Sequence, residues 1–287
     1  FFYRKYLEYH NKRFKDSSLF IYDDNNKIIT VLPANTSNNQ LISHGGLTFG
    51  GFLMDDKMTT SKLLLVMDKV IEYCKSNNIQ EFIYKPIPYI YSKKTSQEDL
   101  YTLFRNNAEL FRRDVCSVID FRYPFKYSNR RTRNLKKANL NIDIKINENA
   151  HLDRFWNLLE EVLKTRHNVS PVHSLEEIKQ LQSDFPNNIS LITGNFNDKL
   201  VSGVVIFETD NVAHLQYIAT NIEGRDNFVL DKLIDFSINK YKEEKQYFSF
   251  GISNENNGKV LNDGLIAHKE GFGAKAVVHD YYKIKIQ

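Results

Sequence analysis

Several things are scarce in this sequence, and each scarcity removes a class of protein. Two cysteines, Cys74 and Cys116, occur in 287 residues. That is too few for a disulfide framework or a cysteine-based zinc knuckle. Both sit among apolar neighbours, the setting of buried, reduced thiols, so a cytoplasmic location is expected. No apolar run reaches the roughly 18 residues of a membrane helix, and no secretory leader is visible. Charge of either sign is barely in excess. The 39 basic residues against 35 acidic ones leave a net +4, which permits an anionic ligand without demanding nucleic acid. Carboxylate pairs at glycosidase spacing, zinc-ligand spacings and a GxSxG elbow are also missing, so no metal is expected.

What is present is a large apolar inventory. Hydrophobic residues make up 41% and aromatics 13%, with 16 tyrosines and 20 phenylalanines. The length exceeds what one compact domain usually needs, so two domains, or one large α/β domain, are expected. Along the chain the pattern predicts a helix over Tyr3–Phe14. A hairpin follows, with strands at 19–22 and 27–32 around Asp23-Asp24-Asn25-Asn26. The glycine-punctuated stretch Ile42–Phe52 reads as a strand. Leu63, Val66, Met67, Val70, Ile71 and Cys74 then mark a helix at i, i+3, i+4, i+7 spacing. A strand at 82–84, a helix over 97–107 and a strand at 116–121 close this half.

The second half repeats that order. A helix carries Leu152, Phe155, Trp156, Leu159 and Leu163, and a hairpin turns at Asn197-Asp198. A strand over 214–219, a loop over 221–227, a helix over 230–241, a strand at 247–250, a helix around 261–270 and a strand over 277–286 follow. Such self-similarity points to internal duplication, with the seam between Tyr123 and Asn147.

Four stretches carry a family likeness: the glycine run His44–Gly51, the basic segment Asn129–Ala138, the strand and loop Tyr217–Arg225, and the terminal pair Gly264-Leu265 with His268–Gly273. In this order they resemble the FemAB-like tandem GNAT acyltransferases, in a short form without the helical arm of the larger Fem enzymes. The resemblance implies an α/β (α+β) protein of two tandem GNAT-like domains, each a mixed, mostly antiparallel sheet flanked by helices. The divisions expected are 1–128, a basic linking helix and crossover over 129–146, and a donor-binding domain over 147–287. It implies an N-acyltransferase that moves an acyl group from acetyl-CoA or another acyl-CoA to a primary amine. The acceptor would be a small molecule, an amino-sugar or a nucleotide-sugar, cell-wall or capsule precursor. Aminoacyl-tRNA as donor, in a peptidoglycan-bridge aminoacyltransferase, is the disfavoured alternative because the helical arm is missing. A non-catalytic ligand-binding module is a further one.

The residues offer roles for this chemistry. Arg166, His167 and His173 fall in a polar stretch between two amphipathic segments. An imidazole there could take the proton of an attacking amine near neutral pH, with Tyr217 as acid to the leaving group. Alternation places His214 and Gln216 on one face of a strand and Leu215 and Tyr217 on the other, so His214 and Gln216 would line the acceptor pocket. Ala219, Thr220, Gly224, Arg225, Asp226 and Asn227 would hold the donor, because a loop that opens a helix offers free N–H groups to an anion. Lys269 and His44 complete the expected substrate contacts. Each has a plainer reading: Ser174 as a helix cap, His214 as a hydrogen-bonded core residue, and the basic run as a solvated face whose members Arg130, Arg133 and Lys137 share one side.

Overall fold

The computed structural model describes residues 2–138 and 141–287, apart from the side chains of residues 149 and 167. The chain divides into two compact units. One takes Phe1–Val115, Asn254–Leu261 and Val277–Gln287; the other takes Cys116–Ser253 and Asn262–Ala276.

Helix α1 (Arg4–Glu8) is much shorter than the 3–14 span expected. Only Tyr6 on it is buried, so little packing holds a longer helix together. The hairpin β1 (Leu19–Tyr22) and β2 (Ile28–Leu32) forms as read. The Asp23 carboxylate accepts the amides of Asn25 and Lys27 across its turn, both at 2.9 Å. Strands β3 (Asn35–Ser37) and β4 (Gln40–Ile42) follow. The expected glycine-rich strand stops at Ile42, and 43–52 runs as turns and irregular chain. His44 at φ +57 and Gly51 at φ +91 cannot lie in an extended strand.

Helix α2 (Thr60–Ser76) begins at a Thr59 cap and buries Leu63, Val66, Met67, Val70 and Cys74. Full burial of each such side chain is worth about 1.5–3 kcal/mol. Strand β5 (Glu81–Tyr84), helix α3 (Glu98–Arg105) and strand β6 (Glu109–Asp120) complete the first half. Strand β6 begins seven residues earlier than its apolar end suggests.

Helix α4 (Asn129–Lys137) is the basic helix, capped by Ser128. Strand β7 (Asp143–Ile146) escaped the sequence reading. Helix α5 (Asn149–His167) and helix α6 (Leu175–Asp184) come next, the latter opened by a capping box between Ser174 and Glu177. Strands β8 (Ile189–Phe196) and β9 (Lys199–Glu208) turn through Asn197 and Asp198, at φ +50 and +60. Positive φ at both positions is the geometry whose twist suits a two-residue hairpin. Strand β10 (Val212–Thr220), helix α7 (Ile222–Asp226), helix α8 (Val229–Tyr241) and strand β11 (Tyr247–Ile252) follow. A small hairpin, β12 (Asn254–Glu255) and β13 (Val260–Leu261), was likewise unanticipated. Helix α9 (Asp263–Glu270) and strand β14 (Lys275–Lys285) end the chain.

Each half lends its last strand away. Strand β14 pairs antiparallel with β5, Tyr282 opposite Tyr84, beside the parallel β4–β5 and antiparallel β3–β4 pairs. The end of β6 pairs antiparallel with β11, Ile119 opposite Phe248, so it does not close the half that encodes it. The remaining ladder of the second unit runs β11–β10–β9–β8–β7. The compact units are therefore discontinuous and differ from the contiguous ranges 1–128 and 147–287. Local periodicity cannot report which strand a segment will pair with. Each unit has its own core. Leu41, Leu63, Met67, Phe82 and Ile284 build the first, and Val204, Ile206, Leu215, Leu233, Phe248 and Phe272 the second.

Candidate active site at the parted strands of the second unit

Strands β10 and β11 pair in parallel at only three positions: Val212–Tyr247, Ala213–Phe248 and His214–Ser249. Both strands continue, but among the described residues their paired register ends there, with no paired position between 215–220 and 250–252. Irregularities on both strands explain the parting. Strand β10 carries a bulge between Leu215 and Tyr217 against β9. Strand β11 loses register between Ser249 and Ile252 against β6, with Gly251 at φ +72. A bulge leaves backbone groups unpaired and bends its strand.

The bulge also corrects the expected alternation. Leu215 lies opposite Ile206 and joins the core beneath α8. Tyr217 lies opposite Val205 and turns to the other face, where its ring meets Trp156 of α5 edge-on at 5.2 Å. His214 lies opposite Phe207, whose ring stands 6.1 Å from that of His173, on that same face. His214 and Tyr217 thus share a face that strict alternation denies them.

Tyr217 and His173, 44 residues apart in sequence, are partners. The Tyr217 hydroxyl lies 2.5 Å from His173 Nδ1 and accepts the His173 amide N–H at 3.3 Å. The tautomer of His173 sets which of Nδ1 and the hydroxyl donates; with the proton on Nδ1 the hydroxyl accepts from both ring and amide, and its own proton is left for a third group. Burial raises the Tyr217 pKa, so the hydroxyl is a proton holder at neutral pH. His214 Nδ1 lies 3.1 Å from Ser249 Oγ. A side chain on Gly251 would stand 3.6 Å from the His214 ring, so glycine keeps this spot clear.

Lys269 is buried and donates to the carbonyls of Gly251 at 3.0 Å and Ile252 at 2.5 Å. It therefore fixes the end of β11 through its backbone, where a phosphate or carboxylate contact was expected. Burial lowers its pKa to about 8.

The presumed donor loop is a helical turn. Asn221 Oδ1 accepts the Gly224 amide at 2.8 Å, and a side chain at Gly224 would meet the Val201 carbonyl at 2.6 Å. Glycine serves close packing of α7 on β9 here, and its amide is already used. Thr220 is buried and donates to Val201 O at 3.4 Å, while Asn227 donates to Glu223 O at 2.9 Å. Arg225 and Asp226 are exposed, Ala219 is buried and Gln216 is half-buried at the bulge. Arg166 is exposed on the last turn of α5, and the side chain of His167 lies outside the described residues.

His44 belongs to the first unit. It is buried, stacks on His10 at 5.3 Å, and burial holds its pKa down to about 4. Sequence reasoning missed Ser249 and Gly251, which no motif marks, and took Trp156 only as part of an apolar stripe. Among the described residues no group of histidine, cysteine, aspartate and glutamate could hold a metal, and no helix is long and apolar enough to cross a membrane.

No family model and no curated protein sequence matches this chain. Solved structures do. FemX aligns with a TM-score of 0.72 at 11% identity, covering 98% of this chain and 91% of that one. The chain has a FemAB-like, GNAT-type fold. L-PGS from Bacillus licheniformis aligns at a TM-score of 0.62 and 12% identity, over 99% of this chain and 92% of its own. A tandem GNAT protein from the clavulanic acid biosynthesis pathway aligns at 0.53 and 8%, over 96% and 86%. FemAB-like describes the architecture alone at identities this low.

Proposed function

We propose that this chain is an N-acyltransferase whose donor enters between β10 and β11 of the second unit. The observation that carries the reading is the parting of these strands after His214 and Ser249, with the His173–Tyr217 pair on one face of β10. A carbonyl lying along the parted strands would meet backbone N–H groups that the bulge releases, and a neutral amine attacks its carbon. The C–N bond forms while the carbonyl oxygen takes up negative charge that an N–H donor stabilises. Collapse breaks the bond to the leaving thiol or hydroxyl. His173 takes the proton that the attacking amine sheds, Tyr217 gives its own proton to the leaving atom, and the imidazole returns one to the Tyr217 oxygen through Nδ1. His173 is the base of this scheme. His214, Gln216 and Arg166 are the acceptor contacts of this scheme, and His167 is the alternative base. The acceptor class is the primary amine of an amino-sugar or of a cell-wall or capsule precursor.

An acyl-CoA is the first donor to test. A second reading keeps the chemistry but uses an aminoacyl ester. It is favoured by the self-capped turn at Asn221–Asn227, which leaves the Gly224 amide no role with a pyrophosphate. Melting curves with acetyl-CoA, longer acyl-CoAs and aminoacyl-tRNA separate the two, since a ligand that binds the folded state raises its stability. Stabilisation by an acyl-CoA, lost in Gly251→Val, supports the first reading; stabilisation by aminoacyl-tRNA alone supports the second. Stabilisation by none of them sinks the donor site.

A further inference from the structure

The positive charge of this chain is concentrated in one segment. Seven of its 39 basic residues and none of its 35 acidic ones lie between Phe121 and Ala138, leaving 32 basic against 35 acidic elsewhere. Two of the seven are neutralised within the second unit. Arg122 pairs with Asp120 at 2.8 Å. Arg131 turns inward, where it pairs with Asp231 at 2.5 Å, reaches His268 Nδ1 at 2.6 Å and stacks over Phe272 at 5.0 Å. Asn134, one turn on, donates to the other oxygen of Asp231 at 2.7 Å. These inward contacts fix α4 by one side.

The other five, Lys126, Arg130, Arg133, Lys136 and Lys137, are exposed, and none is in an ion pair among the described residues. On α4, Arg130, Arg133 and Lys137 are spaced i, i+3, i+7 and share one side, which Asn134 borders and from which Arg131 points away. The helix itself bears no acidic and no aromatic residue. A fixed helix with one side held in the core and the other lined by unpaired cations has the form of an electrostatic contact surface.

We propose that this face docks the protein on an anionic lipid bilayer. Each cation close to such a surface raises partitioning about fivefold, so five give reversible, salt-sensitive attachment rather than insertion. Tyr123, 65% exposed in the same segment, is the amphipathic residue type that settles at headgroup depth. Single-stranded nucleic acid finds no stacking ring on α4. The attachment is independent of the acyl-transfer reading.

The test is co-sedimentation with phosphatidylcholine vesicles carrying about 30% phosphatidylglycerol, against phosphatidylcholine alone. Binding to the anionic vesicles only, abolished at high salt, is expected. The triple reversal Arg130→Glu, Arg133→Glu, Lys137→Glu lowers partitioning by about 100-fold or more with an unchanged melting temperature. Reversing the exposed Lys57, Lys62 and Lys75 of the first unit to Glu leaves partitioning within about twofold. If the triple reversal melts early, the neutral pair Arg133→Gln, Lys137→Gln decides, with a loss of about 25-fold expected. No binding, equal binding to both vesicle types, or full binding by the charge variants overturns the proposal. So does displacement from vesicles by a lower concentration of bulk tRNA than of free phosphatidylglycerol vesicles, which would assign the face to nucleic acid.

Discussion

Each unit contains a parallel strand pair that lasts three residues, and the two pairs end in opposite ways. In the first unit β4 and β5 pair through Ile42 and Ile83, and the chain then stitches itself shut. Ser43 N donates to Ile83 O at 2.9 Å, Lys85 N to Ser43 Oγ at 2.8 Å, and Gly50 N to Lys85 O at 2.9 Å. The buried Lys85 ammonium reaches the carbonyls of His44, at 2.6 Å, and Leu47. In the second unit β10 and β11 pair through His214 and Ser249, and among the described residues no backbone hydrogen bond outside the strands crosses that gap. Lys269 there ties only the end of β11 to its own helix. Two buried lysines thus perform related tasks, one closing a gap and one holding a strand aside. A glycine-rich segment long enough to turn back is what separates the closed pair from the parted one.

The comparison can be broken most severely at the His173–Tyr217 pair. His173→Gln combined with Tyr217→Phe should lower kcat by about 100-fold or more, with a melting temperature close to the parent. Turnover within threefold of the parent would make the pair a packing contact only. The matched change in the closed unit, His44→Gln, should leave kcat and KM untouched.

Glycine substitutions test closure against openness. Gly50→Ala brings a carbon within 2.0 Å of the Ser43 carbonyl, a backbone clash expected to cost about 3 kcal/mol. Gly251→Ala has its nearest neighbour at 3.6 Å, so only the left-handed backbone costs, about 1 kcal/mol. Urea titration gives both values, and equal costs would remove the distinction between the gaps.

Hydrogen exchange with bound donor sharpens the comparison. Protection should rise about tenfold or more at 215–220 and 249–252 and remain unchanged at 40–50. Protection centred on the first unit would move the donor site.

The smallest effect is a pH dependence. Burial, with Arg112 nearby, lowers Lys85 to about 7, and burial lowers Lys269 to about 8. Below these values both folded and unfolded states hold the proton, and the cost of burying the charge is fully felt. Between the folded value and the unfolded value of about 10.4 the unfolded chain holds more protons, so stability rises with pH. Lys85→Met should therefore remove about 1 kcal/mol of the gain between pH 7 and 8, whereas Lys269→Met should flatten the curve only above pH 8. Identical pH profiles for parent and Lys85→Met would show that this ammonium is not desolvated.

Much of the local structure was legible because its causes are local. The α2 stripe, the Ser174 cap, the Asn197-Asp198 turn and the basic helix all follow from side chains a few residues apart. The repeat order, and with it the fold, could be read for the same reason. His173 and Tyr217 could be nominated by residue type, but no periodicity shows that they touch. The bulge that turns Tyr217 toward His173 rests on register between β9 and β10, which alternation alone misassigns.

Composition and short-range spacing by themselves determined the repeat of helices and strands that the two halves share, most of their helices, and the charge block at 121–138, since helix periodicity and turn chemistry are properties of neighbours in the chain. Tertiary structure alone decided that β14 and the end of β6 leave the halves that encode them, that Arg131 pairs with Asp231, and that one gap is stitched while the other stays parted. Those outcomes depend on hydrogen bonds and ion pairs between residues 40 to 200 positions apart, whose free energy no local window contains.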